Sequence, residues 1–251
     1  MHFHNKMTVT LTMLRYRKRF IPFALLSMML FRFPFWVNKS CSFWKLMGSG
    51  QNGAFDKTPD WQQWGILAVH RIDFAVQAPA IINTGNKGLY KDLYGSFIAK
   101  WIHFLGCETW TVFLEPIESH GSWDGKKVFG ELPVKTNYGG KIAVLTRATI
   151  RLSRLKDFWR NVEPVAGQMA NTKGLLLSLG IGEMPLVKQA TFSIWETKED
   201  MKQFAYQKKE HTAVIEKTRS EKWYNEDMFT RFKIIACNGT IRGVNPMAGK
   251  L

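Results

Sequence analysis

Cysteine is scarce in this 251-residue chain, whose three cysteines are Cys41, Cys107 and Cys237. No two of them form a CxxC pair, so the sequence encodes neither a zinc ribbon nor a disulfide framework. Isolated cysteines are typical of proteins kept in a reducing compartment. We therefore expect a cytoplasmic protein.

Motifs for phosphate binding, zinc hydrolysis and RNA binding are missing. The chain contains no GxxxxGK[ST] loop and no HExxH helix. Gly180-Ile181-Gly182 lacks the third glycine and the following helix of a dinucleotide-binding loop, so we interpret it as a hairpin turn. No strand carries the RNP1 pattern of ferredoxin-like RNA-binding domains, which argues against nucleic acid as a partner.

The one apolar run near the N-terminus is predicted to be too short to span a membrane. The apolar run at residues 20–31 has twelve residues, well short of the roughly 20 that cross a bilayer. Basic residues precede it, as in a signal peptide, but no small-residue cleavage site follows. We predict a buried helix that opens near Pro22, with a helix on the membrane surface as the alternative.

Acidic residues are few beside the basic ones. The chain has 20 Asp and Glu against 35 Lys and Arg, a formal charge of +15. Such a charge favours anionic partners, or it only keeps the surface solvated. Peripheral contact with an anionic membrane is one such partnership, to which each basic residue near the surface contributes about 1 kcal/mol.

Apolar periodicity predicts the element order βαββαβ in each half of the chain. In the first half, strands are predicted at residues 8–16, 43–47, 61–69 and 109–117, with helices at 18–30 and 86–104. In the second half, strands are predicted at 141–151, 175–179, 189–196 and 228–236, with a helix that Ser153 caps and another that Thr197 caps.

The two halves also match residue by residue. A shift of 132 residues places Gly48 on Gly180 and Arg15 on Arg147, and one shift that serves two separated strands argues for internal duplication. We predict an α+β fold of tandem ferredoxin-like repeats that form a dimeric-type α+β barrel within one chain. The predicted domains are an N-terminal repeat at 1–118, a linker at 119–139 and a C-terminal repeat at 140–251.

His211 is the first candidate for chemistry. Val214, Ile215 and Thr218 follow it at helical spacing, so it shares the apolar face of its helix. Either it is a core imidazole bonded to a backbone carbonyl, or it is a metal or haem-iron ligand that desolvation keeps neutral. The first half has no matching histidine, so we expect a single site within residues 140–236.

Two arginines are further candidates. Arg147 alternates with apolar residues on its strand, where a guanidinium needs a partner. It either pairs with a buried carboxylate such as Glu183 or donates hydrogen bonds to a haem propionate or to dioxygen. Arg231, on the final strand, has the same two interpretations. Cys237 ranks below His211 as an iron ligand because its surroundings lack the P450 ligand-loop pattern.

Seven sequence blocks carry a family resemblance that covers nearly the whole chain. They are FWKLMGSG (43–50), DWQQWGILAV (60–69), SWDGKKVF (122–129), LTRAT (145–149), GIGEMPLVKQATFSIW (180–195), EHTAVIEK (210–217) and MFTRF (228–232). With these blocks in this order, the chain resembles the spheroidene monooxygenase family. Members of that family are bacterial haem proteins that introduce keto groups into acyclic carotenoids, using dioxygen and reducing equivalents.

The resemblance implies a haem b in the C-terminal repeat, with His211 as the iron ligand and Arg147 as the catalytic residue that polarises dioxygen. We add Arg231 to Arg147 as a predicted haem contact. The resemblance further implies an apolar substrate and an external electron donor such as a ferredoxin. The chain departs from the family pattern at residues 73–87 and after Arg19, where a substrate entrance could differ.

Two other functions stay open at this point. A haem whose iron acts as a Lewis acid on a small substrate, for instance in a dehydration, would turn over without dioxygen or reductant. A non-catalytic barrel that binds lipid or haem would need no oxidative chemistry, and in a haem-free barrel His211 would be an ordinary core residue.

Overall fold

The structure is a computed structural model that describes residues 7–53, 55–71, 78, 82, 85–161, 172–207, 217–218 and 220–250. In chain order, its main strands and helices are β1 Thr8–Arg15, α1 Ile21–Leu30, α2 Arg32–Val37, β2 Cys41–Gly50, β3 Pro59–His70, α3 Gly85–Tyr94, α4 Ser96–Phe104, β4 Glu108–Gly121, β5 Ile142–Ile150, β6 Leu175–Met184, β7 Lys188–Trp195, α5 Lys198–Gln207 and β8 Tyr224–Gly239. Residues 155–161 are also helical.

The eight strands form a closed barrel in the order β1-β3-β2-β6-β7-β5-β8-β4. The pairings β1 with β3 and β4, and β5 with β7 and β8, are antiparallel. Each half of the chain follows the order βαββαβ, counting residues 155–161 as the first helix of the second half. The predicted α+β class with tandem ferredoxin-like repeats is confirmed.

The chain divides into two compact units. The first consists of Met1–Met47, Trp61–Glu115 and Ile234–Leu251, and the second of Gly48–Asp60 and Pro116–Lys233. The domain boundaries at residues 118 and 140 stay a prediction.

The core of the first unit lies between its strands and helices α3 and α4. Residues of the helices, among them Leu89, Leu93 and Ile98, pack with Leu14 and Tyr16 at the end of β1. The single helix predicted for residues 86–104 is interrupted at Gly95, whose φ of 89° is accessible to glycine without strain. Two short helices therefore replace one long helix.

The core of the second unit has two apolar clusters. In one, helix α5 packs Met201 and Phe204 against strand residues Ile142, Val144 and Trp195. The other cluster consists of Ile150, Phe158, Trp159 and Trp223. Helix α5 begins where the sequence predicts, because the hydroxyl of Thr197 accepts a 3.0 Å hydrogen bond from the backbone N–H of Asp200.

The N-terminal helix is longer and more exposed than predicted. It continues past residue 31 as α2, and its buried residues are Ala24 and Ser27 in α1, Phe31 between the two helices and Phe35 in α2. The prediction of a buried helix is therefore wrong for the other faces of this helix. Lys18–Val37 measures 20 residues with a mean hydropathy of 1.7, which by length and composition alone would suffice to cross a membrane.

The predicted hairpin into β7 is present and includes Pro185, but its turn does not lie at Gly180-Ile181-Gly182. These residues lie inside β6, and the turn to β7 contains Leu186 with a φ of 64°. Gly182 instead permits a close approach of strands, since an added Cβ would lie 2.8 Å from the carbonyl oxygen of Lys188.

The offset between the repeats at β1 and β5 is 134 residues rather than 132. Arg17 and Arg151 each precede a 3₁₀ turn and accept a 2.8 Å backbone hydrogen bond from the residue three positions later. Arg147 is therefore equivalent to Met13 and not to Arg15. Because the difference is two residues, the predicted sheet face of each residue is unchanged.

Candidate functional site

His211, the predicted iron ligand, lies outside the described residues. The same is true of residues 208–216 around it. The described part of the second unit does contain the sheet against which that segment is predicted to lie. The candidate site is therefore built from the strands β5, β6, β7 and β8.

One face of this sheet carries a row of three small residues that ends at a phenylalanine. Thr146 of β5 lies opposite Thr191 of β7 and Phe229 of β8, and Thr191 lies opposite Gly180 of β6. Directly paired residues of antiparallel strands point to the same side of a sheet. This is the side on which α5 packs against Val144, and we call it the helix-side face.

Thr146 is exposed, although it lies near the middle of β5 with a paired strand on either side. Helix α5 covers only the end of this face that contains Ile142 and Val144. Three rows of residues on four strands span about 14 Å by 13 Å. The helix-side face thus offers a floor on the scale of a flat macrocycle, with Gly180, Thr191 and Thr146 in its middle row.

Two aromatic rings border this floor. The imidazole of His120 stacks on the ring of Phe229 at a centroid distance of 5.3 Å, and His120 is exposed. Among the described residues of the second unit, His120 is the one histidine. The sequence analysis missed it because residues 119–133 are rich in turn formers, and no periodic pattern singles it out.

Arg231 lies on the helix-side face, opposite Val144. It forms an ion pair with the buried carboxylate of Glu118, which also binds Lys198 and both the N–H and the hydroxyl of Thr136. Burial alone would raise the pKa of Glu118, but these donors outweigh it and lower the pKa to about 2. The Nε of Arg231 is buried and has no hydrogen-bond partner among the described residues.

Arg147 lies on the opposite face, because it is one residue out of phase with Thr146 and pairs with Met228. Its side chain is 1% exposed and forms an ion pair with Glu226. The guanidinium also lies 3.7 Å from a carboxylate oxygen of Asp124 and 3.8 Å from one of Glu183. The carboxylate pairing considered from the sequence is therefore present, while the role of Arg147 at dioxygen stays a prediction.

The SWDGKKVF block closes over this arginine. The N–H of Gly125 and the hydroxyl of Ser122 each donate a 2.7 Å hydrogen bond to Glu226. Burial would raise the pKa of Glu226, but these donors and Arg147 lower it to about 2. The indole N–H of Trp123 donates to Glu183 at 2.8 Å. Residues from three of the blocks that carry the family resemblance thus meet at one buried charge.

The two predicted arginines are therefore held on opposite faces of one sheet, so a single flat group cannot lie against both. The helix-side face fits such a group: the middle row of its floor contains three small residues, and the buried Nε of Arg231, which has no partner among the described residues, can donate to an anionic substituent. The other face around Arg147 carries three carboxylates and suits a structural ion cluster.

Solved structures with this fold include two aldoxime dehydratases. One, in complex with butyraldoxime, aligns with a TM-score of 0.59 at 8% identity, over 91% of this chain and 79% of that chain. The other aligns with a TM-score of 0.55 at 9% identity, over 92% of this chain and 82% of that chain. At such identities the likeness shows the fold alone.

Relatives found by sequence have a higher identity to this chain than these solved structures. The chain is 30% identical over 232 residues to spheroidene monooxygenase of Rhodobacter capsulatus, covering 92% of this chain and 91% of the relative. It is 32% identical over 211 residues to the enzyme of the same name from Cereibacter sphaeroides, covering 83% of this chain and 60% of that relative. No family model matches the chain. The two alignments confirm the resemblance, and the chain belongs to the spheroidene monooxygenase family.

Proposed function

We propose that this protein is a haem-dependent monooxygenase that introduces a keto group into a long apolar substrate such as an acyclic carotenoid. The observation that carries the proposal is the alignment of 92% of the chain with a protein named spheroidene monooxygenase. The name of that relative specifies both an oxidative reaction and a spheroidene substrate. Family membership supports the oxidoreductase class, and the substrate and the haem are the proposed part.

The helix-side face is where we place the haem. Thr146 and Thr191 would form the floor under the macrocycle, and Arg231 would bind an anionic propionate through its buried Nε. His211 would bind the haem iron. Haem supplies the redox chemistry with dioxygen when it is bound, while the protein orients it and keeps water away.

Arg147 has two roles to separate. Polarising dioxygen would require the oxygen to reach the face opposite Arg231. Its contacts with Glu226, Asp124 and Glu183 support a structural role instead. Arg147→Lys keeps the charge but not the planar fork. Normal haem content with lost turnover would indicate the first role, and a lowered melting temperature with residual turnover would indicate the second.

The decisive experiment is an absorption spectrum of the purified, haem-reconstituted protein, oxidised and then reduced with carbon monoxide. We expect a Soret band in the parent protein and in His120→Ala, and none in His211→Ala. Thr146→Trp should block the floor and lower haem retention, while the matched Thr146→Ser should not. A parent protein that keeps no Soret band would refute haem binding. If His120→Ala lost the haem while His211→Ala kept it, His211 would be refuted as the iron ligand.

A second candidate function is a dehydration, because both structural neighbours described above are named aldoxime dehydratases. The two reactions differ in their co-substrates. A monooxygenase needs dioxygen and electrons, which we expect from an external cytoplasmic donor such as a ferredoxin. Turnover of an aldoxime under nitrogen and without reductant would establish the dehydratase, and an oxygen-dependent keto product would exclude it as the main activity.

A further inference from the structure

The N-terminal helices expose an unusual amount of apolar surface. Of the fifteen large apolar side chains that are exposed among the described residues, nine lie on α1, α2 and α4. We call these nine the apolar face: Phe23, Leu25, Leu26, Met29, Phe33, Trp36, Val37, Phe97 and Phe104. Phe33, Trp36 and Phe104 are 69%, 71% and 85% exposed. Exposed apolar patches of this kind mark interaction sites.

The apolar face is not surplus core. The inward stripe of α1 and α2 is already packed: Ser27 accepts a 3.1 Å hydrogen bond from the hydroxyl of Tyr16, and Phe35 stacks on Trp44 at 5.1 Å. The remaining sides of these helices are apolar as well. This is typical of helices that contact the protein core on one side and another apolar environment, such as lipid, on the other.

The apolar face continues from α1 onto α4. The rings of Phe31 and Phe97 lie 6.4 Å apart, and those of Phe23 and Trp101 lie 6.2 Å apart. All these residues belong to the first unit. The helices are thus held side by side and present one surface.

The charge on and around α1 and α2, which carry most of the apolar face, has one sign. The first acidic residue of the chain is Asp56, so α1, α2 and the residues that flank them carry none. Exposed basic residues border the face instead: Arg17, Lys18, Arg19, Arg32, Lys39 and Lys100. A rim of positive charge around aromatic side chains complements the anionic headgroups and the acyl boundary of a lipid bilayer.

We propose that the apolar face docks on the surface of an anionic lipid bilayer, with α1 and α2 lying in the interfacial plane. Surface contact fits better than a span, because Ala24, Ser27 and Phe35 pack into the first unit and Arg32 interrupts the apolar stretch. This inference goes beyond the proposed oxidation. Its readout is lipid binding, which does not depend on haem or on turnover.

The test is sedimentation of the full-length protein with vesicles of phosphatidylcholine alone or with one third phosphatidylglycerol. We expect binding to the anionic vesicles that weakens with salt. Phe33→Ser with Trp36→Ser should lower binding at least tenfold, since the two aromatic side chains would otherwise be buried in lipid. Arg19→Gln with Arg32→Gln should lower it about 25-fold, about fivefold for each charge.

Matched controls carry the same changes elsewhere on the surface. Val134 and Leu152 are 69% and 75% exposed in the second unit, so Val134→Ser with Leu152→Ser should bind like the parent. Lys156 and Arg160 are exposed. Lys156→Gln with Arg160→Gln removes the same number of positive charges as Arg19→Gln with Arg32→Gln, but away from the apolar face, and should also bind like the parent. Circular dichroism confirms that every variant is folded.

Three results would overturn the proposal. The first is equal binding to neutral and anionic vesicles, and the second is a loss of binding in the control pairs as large as that in the test pairs. The third is a parent protein that forms a dimer in the absence of lipid, which Phe33→Ser with Trp36→Ser dissociates, and that does not sediment with vesicles. That result would assign the apolar face to a second copy of the chain.

Discussion

Replacing Glu118 by glutamine tests the ion cluster on the helix-side face. The side chains of Glu118, Lys198 and Arg231 are only 1%, 7% and 12% exposed. Glu118→Gln keeps the size of the side chain and can still accept from Thr136, but it removes the charge that two buried cations face. We expect this variant to be strongly destabilised at neutral pH.

The magnitude follows from the pKa of Glu118, which the folded protein lowers from 4.5 to about 2. At 1.36 kcal/mol per pKa unit, the ionised form contributes about 3 kcal/mol to the free energy of unfolding. Because the folded pKa is depressed, this contribution is complete above pH 4.5 and is lost as the pH falls towards 2. At pH 3 about 2 kcal/mol of it is already gone.

Urea unfolding monitored by tryptophan fluorescence at pH 7 and pH 3 measures this directly. We expect Glu118→Gln to be about 3 kcal/mol less stable than the parent at pH 7 and about 1 kcal/mol less stable at pH 3. Glu131→Gln is the matched control, because Glu131 is 82% exposed and its ion pair with Lys127 lies in solvent. A cost for Glu118→Gln below 1 kcal/mol at pH 7, or one that is equal at both pH values, would refute the reasoning.

Three further predictions concern single residues. Arg147→Met leaves the partly buried Glu226 without its cation and should lower the free energy of unfolding by about 3 kcal/mol in urea. A cost near zero would mean that the cluster does not contribute to stability. Burial lowers the pKa of His70 to about 4, so the unfolded chain takes up a proton first as the pH falls. The free energy of unfolding of the parent should therefore drop by about 3 kcal/mol between pH 6.5 and pH 4. His70→Gln should remove this pH dependence, and its persistence would exclude His70 as the source. In thermal unfolding, Gly121→Ala should lower the stability by several kcal/mol more than Gly130→Ala. Both glycines have positive φ, but only at Gly121 would the new Cβ lie 2.2 Å from a backbone oxygen. Equal losses of stability would contradict this.

The order of elements was predictable because strands and helices leave different apolar periods in the sequence. Alternation in residues 8–16 and 141–151 marked the strands β1 and β5, and Thr197 marked the start of α5. The break at Gly95 was not predictable from periodicity, since Leu93 and Phe97 keep helical spacing across it. Glycine itself was the signal there, and it was overlooked.

The site was predictable only in part, because a sequence pattern gives the face of a residue relative to its own strand and not relative to other strands. Arg147 and Arg231 each alternate with apolar neighbours, yet the register of β5 with β8 places them on opposite faces. Contacts of Glu118 with Arg231 and of Glu226 with Arg147 join residues 113 and 79 positions apart. Such pairs follow from the closed sheet and leave no local signal.

The alignment of the last strand is itself specified by these charges. Strand β8 holds Glu226 to Arg147 on one side of the sheet and Arg231 to Glu118 on the other. Sliding β8 by a single residue along β5 would turn every side chain over, so both ion pairs would break at once and leave several charges among apolar groups. A misaligned register of β8 therefore loses two ion pairs relative to the native register. This difference in free energy favours the one register that forms the floor beside Thr146.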